Sequence, residues 1–433
     1  MPREDAGGNS ARAGVGYGPK EPLMQNRPLV GRHHLRLAIG LVLAAALGAA
    51  YALQERQAWA QAQEAPQFEV DAFWPKALPN HWVLGQAIGV WVDDQDVVWI
   101  VHRGSATLAD NEKGLELKNA ECCAAAPPIL AFDAAGKVVR SWGGPGQGYD
   151  WPTGNHGIFV DHENNVWIGG NGPGDSHVVK FTKDGKFLMQ AGKPDARRGP
   201  ANAQGQPTYV GNSHDQVSFG RIAKIFVDPR TNEAFLADGY LNKRVAVIDG
   251  ASGKLKRYWG AYGEKPNDAN LGPYVPNAPP MRQFLNPVHC VMLSKDGLLY
   301  VCDRNGDRIQ VFKPDGAFVK EAFIARGTKA SGSAWDVAFS HDPQQRFLYV
   351  TDGMNNRVHI LRRDTLEELT TFGDGGRQPG QFYGVHSIAV DSKGNIYTTE
   401  TWEGKRLQKF VFKGIGRIPA PHQGTLWPQS ARR

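Results

Sequence analysis

The feature that most constrains this chain is a repeat. An apolar run ends in Asp or Ser, a turn follows, and a second apolar run comes after it. The copies are IGVWVDDQDVVWIV from Ile88, HGIFVDHENNVWIGG from His156, AKIFVDPRTNEAFLAD from Ala223, HCVMLSKDGLLYVCD from His289, WDVAFSHDPQQRFLYVTD from Trp335 and HSIAVDSKGNIYTTE from His386. Most continue into third and fourth runs, as in RVAVIDGASGKLKRYWG, RIQVFKPDGAFVKEAF and RVHILRRDTLEELTTFG. Asp-Gly, Lys-Gly and Ser-Gly at the turns supply the positive φ that tight hairpins need. Each unit therefore reads as four short antiparallel strands, and radial repetition of such sheets is a β-propeller. The expected fold is all-β, a six-bladed β-propeller over residues 61–415. The last unit is one strand short: after RLQKFVFKG only a tail, 416–433, remains. The strand-like QFEVDAF around Phe68 precedes the first unit and is expected to complete the last blade, so that an N-terminal strand closes the ring.

Composition enters at two points. Glycine (51) and tryptophan (12) are abundant and only 21 % of residues are charged, which suits many short strands and tight turns. The formal charge is a modest +6 and there is no dense Lys/Arg block with interleaved aromatics, so nucleic acid is not an expected partner. Residues 1–36 are polar and carry Arg27, Arg32 and Arg36; an uncharged run from Leu37 to Leu53 follows, then Ala58-Trp59-Ala60. A basic region, an apolar core and a small-x-small site make 37–60 a secretory signal. The run is also near the roughly 20 residues that span a bilayer, so an uncleaved anchor is the alternative. Either way the propeller is expected outside the cytoplasm, periplasmic or secreted, or tethered with its blades outside. Export makes a disulfide plausible. Cys290 and Cys302 flank a hairpin centred near Asp296 and can face each other, whereas adjacent Cys122 and Cys123 are not expected to form an ordinary bridge.

Registering the units on the residue that ends the first strand (Asp93, Asp161, Asp228, Ser294, Ser340, Asp391) exposes a site. Five places back stand Ile88, His156, Ala223, His289, Trp335 and His386. Histidine falls in units two, four and six only. With 13 histidines among 433 residues, that alternation is a poor match to chance. The first strand of a blade lines the central channel, so three imidazoles from alternate blades point at one spot on the axis. A lone channel histidine would be read as ordinary polar lining. The symmetric trio instead offers the ligand set of an open zinc site, although imidazole also suits iron, copper or nickel.

The loop after the second strand of each blade opens on the same face. Its Asp, Asn and Arg recur and read as turn-making residues. The residues that do not recur are Tyr240, Arg304 and Met354, with Arg103 at the matching point of the first unit. A phenol beside a metal can serve as acid or base, and arginines opposite it suit a carboxylate. The long insertions 104–127, 192–219 and 262–284 emerge on this face and are expected to build a pocket or lid.

The D-x-x-x-N/D-R-V/I pattern resembles the NHL propeller repeats. Together with the three histidines, ADGYLNKRV, CDRNGDRIQ and the early RG, it makes the chain resemble the peptidyl-α-hydroxyglycine α-amidating lyases. That resemblance implies zinc on His156, His289 and His386, Tyr240 as catalytic base, and Arg103 and Arg304 as substrate-binding residues. It also implies a structural calcium held partly by backbone carbonyls, at Val90 and Ile158. The implied reaction splits the C–N bond of a peptidyl-α-hydroxyglycine-type hemiaminal into an amide and glyoxylate, on a small-molecule or peptide substrate that carries a carboxylate. Three departures stand out: Ser387 occupies the place of an Asp after the third histidine, Leu241 that of a Cys after the tyrosine, and the loops are longer. No hydroxylating partner domain is present in the chain. Two other classes remain open at this level: a non-catalytic NHL propeller that binds a protein or glycan, and a metal-dependent hydrolase of lactonase type. Oligomeric state is not legible.

Overall fold

Each of the six repeats folds as a four-stranded antiparallel sheet. In this computed structural model residues 41–51, 53 and 64–428 are described. The basic region 1–36 and the Ala58–Ala60 segment lie outside the described residues. Residues 41–51 are helical, and no helix among the described residues is long and apolar enough to cross a membrane. The chain divides into two units, Met1–Trp59 and Ala60–Arg433, and the blades belong to the second.

The innermost strands are Ala87–Val92, Asn155–Val160, Ile222–Asp228, Val288–Leu293, Asp336–Phe339 and Val385–Val390, for blades one to six. They are buried almost throughout, which is why they read as near-continuous apolar runs. Outer strands such as Val138–Trp142 are largely open to solvent. The Asp that ends a first strand has a repeated task. Asp93 accepts the Trp99 indole N–H at 2.9 Å, Asp161 that of Trp167 at 2.7 Å, and Asp391 the Tyr397 hydroxyl at 3.0 Å. The same carboxylates accept turn amides, those of Val97, Asn165 and Asn395 among them. One side chain thus closes the hairpin and satisfies a buried aromatic donor.

Blade six is built from both ends of the ring. Strand Glu64–Asp71 lies outermost, paired antiparallel with Leu407–Arg417, Glu64 opposite Arg417 and Asp71 opposite Lys409. The N-terminal strand completes the last blade as the repeat predicts. Beyond Arg417 the chain does not trail away. The Gln423 amide donates to Thr371 O at 2.8 Å, and the Val70 amide to Leu426 O at 2.8 Å. Ile418 and Leu426 pack with Phe68 and Val70 in the seam between blades five and six.

Two disulfides are present and no described cysteine is free. Cys290–Cys302 joins directly opposed residues of neighbouring strands in blade four. The expectation for the other pair needs correcting: Cys122 and Cys123 are bonded to each other, across a cis peptide that brings their Cα atoms to 3.2 Å. The insertion that carries them forms 3-10 turns at Gly104–Thr107 and Asp110–Glu112 and a short helix at Gly114–Leu117. The 192–219 insertion holds a small hairpin of Arg198–Ala201 and Pro207–Tyr209.

Candidate metal centre

The registered position forms a ring at the head of the channel, and its even and odd members do different work. His156, His289 and His386 turn their rings to the axis, with ring centres 4.8 to 5.0 Å apart. Each Nδ1 lies against the backbone carbonyl at the same position of the next blade: His156 with Ala223 O at 2.7 Å, His289 with Trp335 O at 2.6 Å, His386 with Ile88 O at 2.7 Å. A carbonyl only accepts, so every Nδ1 carries the proton and every Nε2 presents a lone pair. Burial holds all three imidazoles well below their ordinary pKa, helped by neighbouring imidazoles and by the Arg103 and Arg304 charges. Three neutral, oriented nitrogen donors meet the requirements of a metal site. The donor atoms lie within 4.8 Å of one another, and the trio can hold a metal ion.

Tyr240 stands over two of the three. Its Oη lies 2.8 Å from His156 Nε2 and 3.1 Å from His289 Nε2. Gly239 makes this approach possible: a Cβ there would fall 2.1 to 2.3 Å from the Val288 backbone. With no side chain at 239, the loop lays Tyr240 directly beside the strand that carries His289.

The two arginines are held differently. Arg304 Nη1 donates to Tyr240 Oη at 3.1 Å, and its guanidinium sits over the rings of Trp335, at 4.7 Å, and Tyr240, at 5.5 Å. Its Nε is buried and has no hydrogen-bond partner. Arg103 is engaged on every nitrogen: Nη1 with Gln86 Oε1 at 2.8 Å, Nη2 with Asn171 Oδ1 at 2.8 Å, and Nε with Asn155 O at 3.4 Å. Arg304 is open to an incoming acceptor, whereas Arg103 is already braced. The structure therefore brings Tyr240, Arg304, Arg103 and the three histidines to one mouth. The sequence places Trp335 in the registered ring but shows neither its role as the shelf for Arg304 nor the Gln86–Asn171 brace on Arg103, because each is a contact between side chains distant in sequence.

Below the histidines the channel narrows to a cavity of about 10 Å³, lined by Ile158, Lys224, Asp336 and Ser387 besides the trio. That is room for one small occupant. Val90 reaches this level through its amide, which faces Ser387 Oγ at 3.4 Å.

No family model matches the chain. It is 26% identical over 366 residues to NHL repeat-containing protein 3 of Mus musculus, covering 80% of this chain and 85% of that protein. It is 26% identical over 367 residues to peptidyl-alpha-hydroxyglycine alpha-amidating lyase 1 of Drosophila melanogaster, covering 79% of this chain and 60% of the lyase. The chain is an NHL-repeat β-propeller that resembles the amidating lyases. Against peptidyl-glycine alpha-amidating monooxygenase A of Xenopus laevis this NHL propeller is 27% identical over 264 residues, 58% of its own length and 24% of the monooxygenase. It thus spans about a quarter of that protein.

Proposed function

We propose that this propeller is an exported zinc-dependent lyase acting on a carboxylate-bearing hemiaminal of the peptidyl-α-hydroxyglycine type. The observation that carries the reading is the juxtaposition of three Nε2 donors, the Tyr240 phenol and the unpartnered Arg304 Nε at one mouth. When bound, zinc would supply a Lewis acid for the substrate hydroxyl. The chain's own residues do the rest. Arg304 binds the carboxylate through its free N–H groups, while its stacking on Trp335 fixes the guanidinium plane. Arg103, held by Gln86 and Asn171, keeps a second positive charge at the mouth. Tyr240 Oη takes the hydroxyl proton. The C–O bond becomes C=O, the C–N pair passes to the amide nitrogen, and that nitrogen takes up the proton that Tyr240 received. The products are an amide and glyoxylate, so atoms balance without a co-reactant.

A lactonase-type hydrolase would centre on carboxylate-held metal. The one carboxylate lining the cavity, Asp336, is already saturated by protein donors, which counts against that reading. Two formed disulfides and no free cysteine among the described residues support export. The first test is elemental analysis of the purified protein with a glyoxylate assay on a peptidyl-α-hydroxyglycine. About one zinc per chain and glyoxylate release are expected. A normally folded protein that takes up no zinc would leave a binding propeller, a reading its likeness to NHL repeat-containing protein 3 keeps in view.

A further inference from the structure

The second cation implied by the resemblance meets a donor set that does not fit it. Lys224, Asp336 and Ser387 each follow a member of the registered ring by one place and line the cavity beneath it. The Lys224 ammonium lies 2.5 Å from both Asp336 oxygens, and the two side chains are only 7% and 3% exposed. Asp336 Oδ1 also accepts the Val337 amide at 2.8 Å. Asp336 Oδ2 accepts Ser387 Oγ at 2.5 Å and the Ile388 amide at 3.2 Å. Ser387 Oγ in turn faces the Val90 amide at 3.4 Å. Every lone pair of the only carboxylate here is taken, and its charge is balanced by an ammonium. Ca²⁺ takes 6–8 oxygen ligands, usually with several carboxylates among them. Val90 and Ile158 carbonyls beside a saturated Asp336 do not make such a set.

We propose that Lys224 is a built-in cation: its ammonium stands where a second metal ion would sit, so the channel holds one metal, at the histidines, and no calcium. The pair links blade three to blade five across the axis, and Ser387 ties blade six to it. The ammonium thereby gives the level just beneath the histidines the inter-blade cross-link that a bridging ion would give, without depending on free calcium. This does not rest on the identity of the upper metal or on the reaction.

The test is calcium binding by the whole purified protein, read by titration calorimetry and by thermal unfolding with calcium or with a calcium chelator. The wild type is expected to bind no calcium and to keep the same Tm in both. The Lys224→Met/Ser387→Asp variant, which removes the ammonium and adds a carboxylate, is expected to bind one calcium per chain, with Tm rising with calcium concentration. A wild type that binds calcium stoichiometrically overturns the proposal, and so does a folded double variant that gains none. Should the variant fail to fold, the wild-type titration still decides. None of these readouts involves glyoxylate or zinc, so failure here is distinct from failure of the lyase reading.

Discussion

The channel has two levels one residue apart along the strands, and they are opposites. At the upper level three neutral imidazoles converge with their lone pairs inward, and the Tyr240 hydroxyl lies against two of them. At the lower level an ammonium and a carboxylate neutralise each other completely. Both are built from strands of one repeat, one position out of step. The upper level can hold an ion, and on our proposal the lower needs none. A propeller axis is thus not uniformly a binding site; each rung is set by which residues the blades present to it.

The largest expected effect comes from breaking the upper level. His289→Ala removes one of three ligands, and metal content should fall from about one per chain to none, with activity lost and the fold retained by circular dichroism. Next comes the lower level. Lys224→Met leaves Asp336 buried and unpaired and should cost about 3–5 kcal/mol in denaturant unfolding, whereas Lys224→Met/Asp336→Leu should recover most of that loss. Recovery would show the pair to be a matched unit. If the single variant costs nothing, the two levels are less different than the geometry says.

A third test concerns the rim. His102 Nδ1 accepts the Gly85 and Gly104 amides at 3.2 and 3.0 Å, and Nε2 donates to Pro127 O at 2.9 Å, pinning both ends of the 104–127 insertion. Burial pushes this imidazole down to about 4 from 6.5. Its folded pKa lies below its unfolded one, so its stabilisation is complete above pH 6.5 and is lost as pH falls toward 4. The difference in unfolding free energy between wild type and His102→Gln should shrink over that window by about 3 kcal/mol. Amide exchange in 104–127 should quicken first. The smallest effect is expected from Gln86→Leu, which removes one brace on Arg103 and should lower kcat/KM about fivefold, the worth of one hydrogen bond.

The upper level was legible because the repeat has a register, and a ligand repeated at one register place stands out by arithmetic alone. The N-terminal closing strand was legible for the same reason: one unit lacked a member. Lys224 and Asp336 were equally visible as charges inside the apolar runs AKIFVD and WDVAFS. Their partnership was not, because it joins blades three and five across a channel whose width no strand pattern encodes. The carbonyls of Ile88, Ala223 and Trp335 were hidden in a different way. The side chains at those places look unrelated, yet what the site uses is the backbone that every residue shares. The Cys122–Cys123 bond was misjudged because spacing says nothing of how a loop bends.

The latch of blade six bears on how the protein is made. His386 stands on a blade whose outermost strand is the first to emerge in synthesis and whose neighbour, Leu407–Arg417, is among the last. Until that neighbour exists, Glu64–Asp71 has no partner strand and the ring stays open at a seam. The third imidazole thus stands on the inner strand of the blade that is completed last. A chain cut short before Arg417 would carry all three histidines on a ring whose last blade is incomplete. Metal binding by such a shortened chain would measure how far the three donors depend on the closed ring.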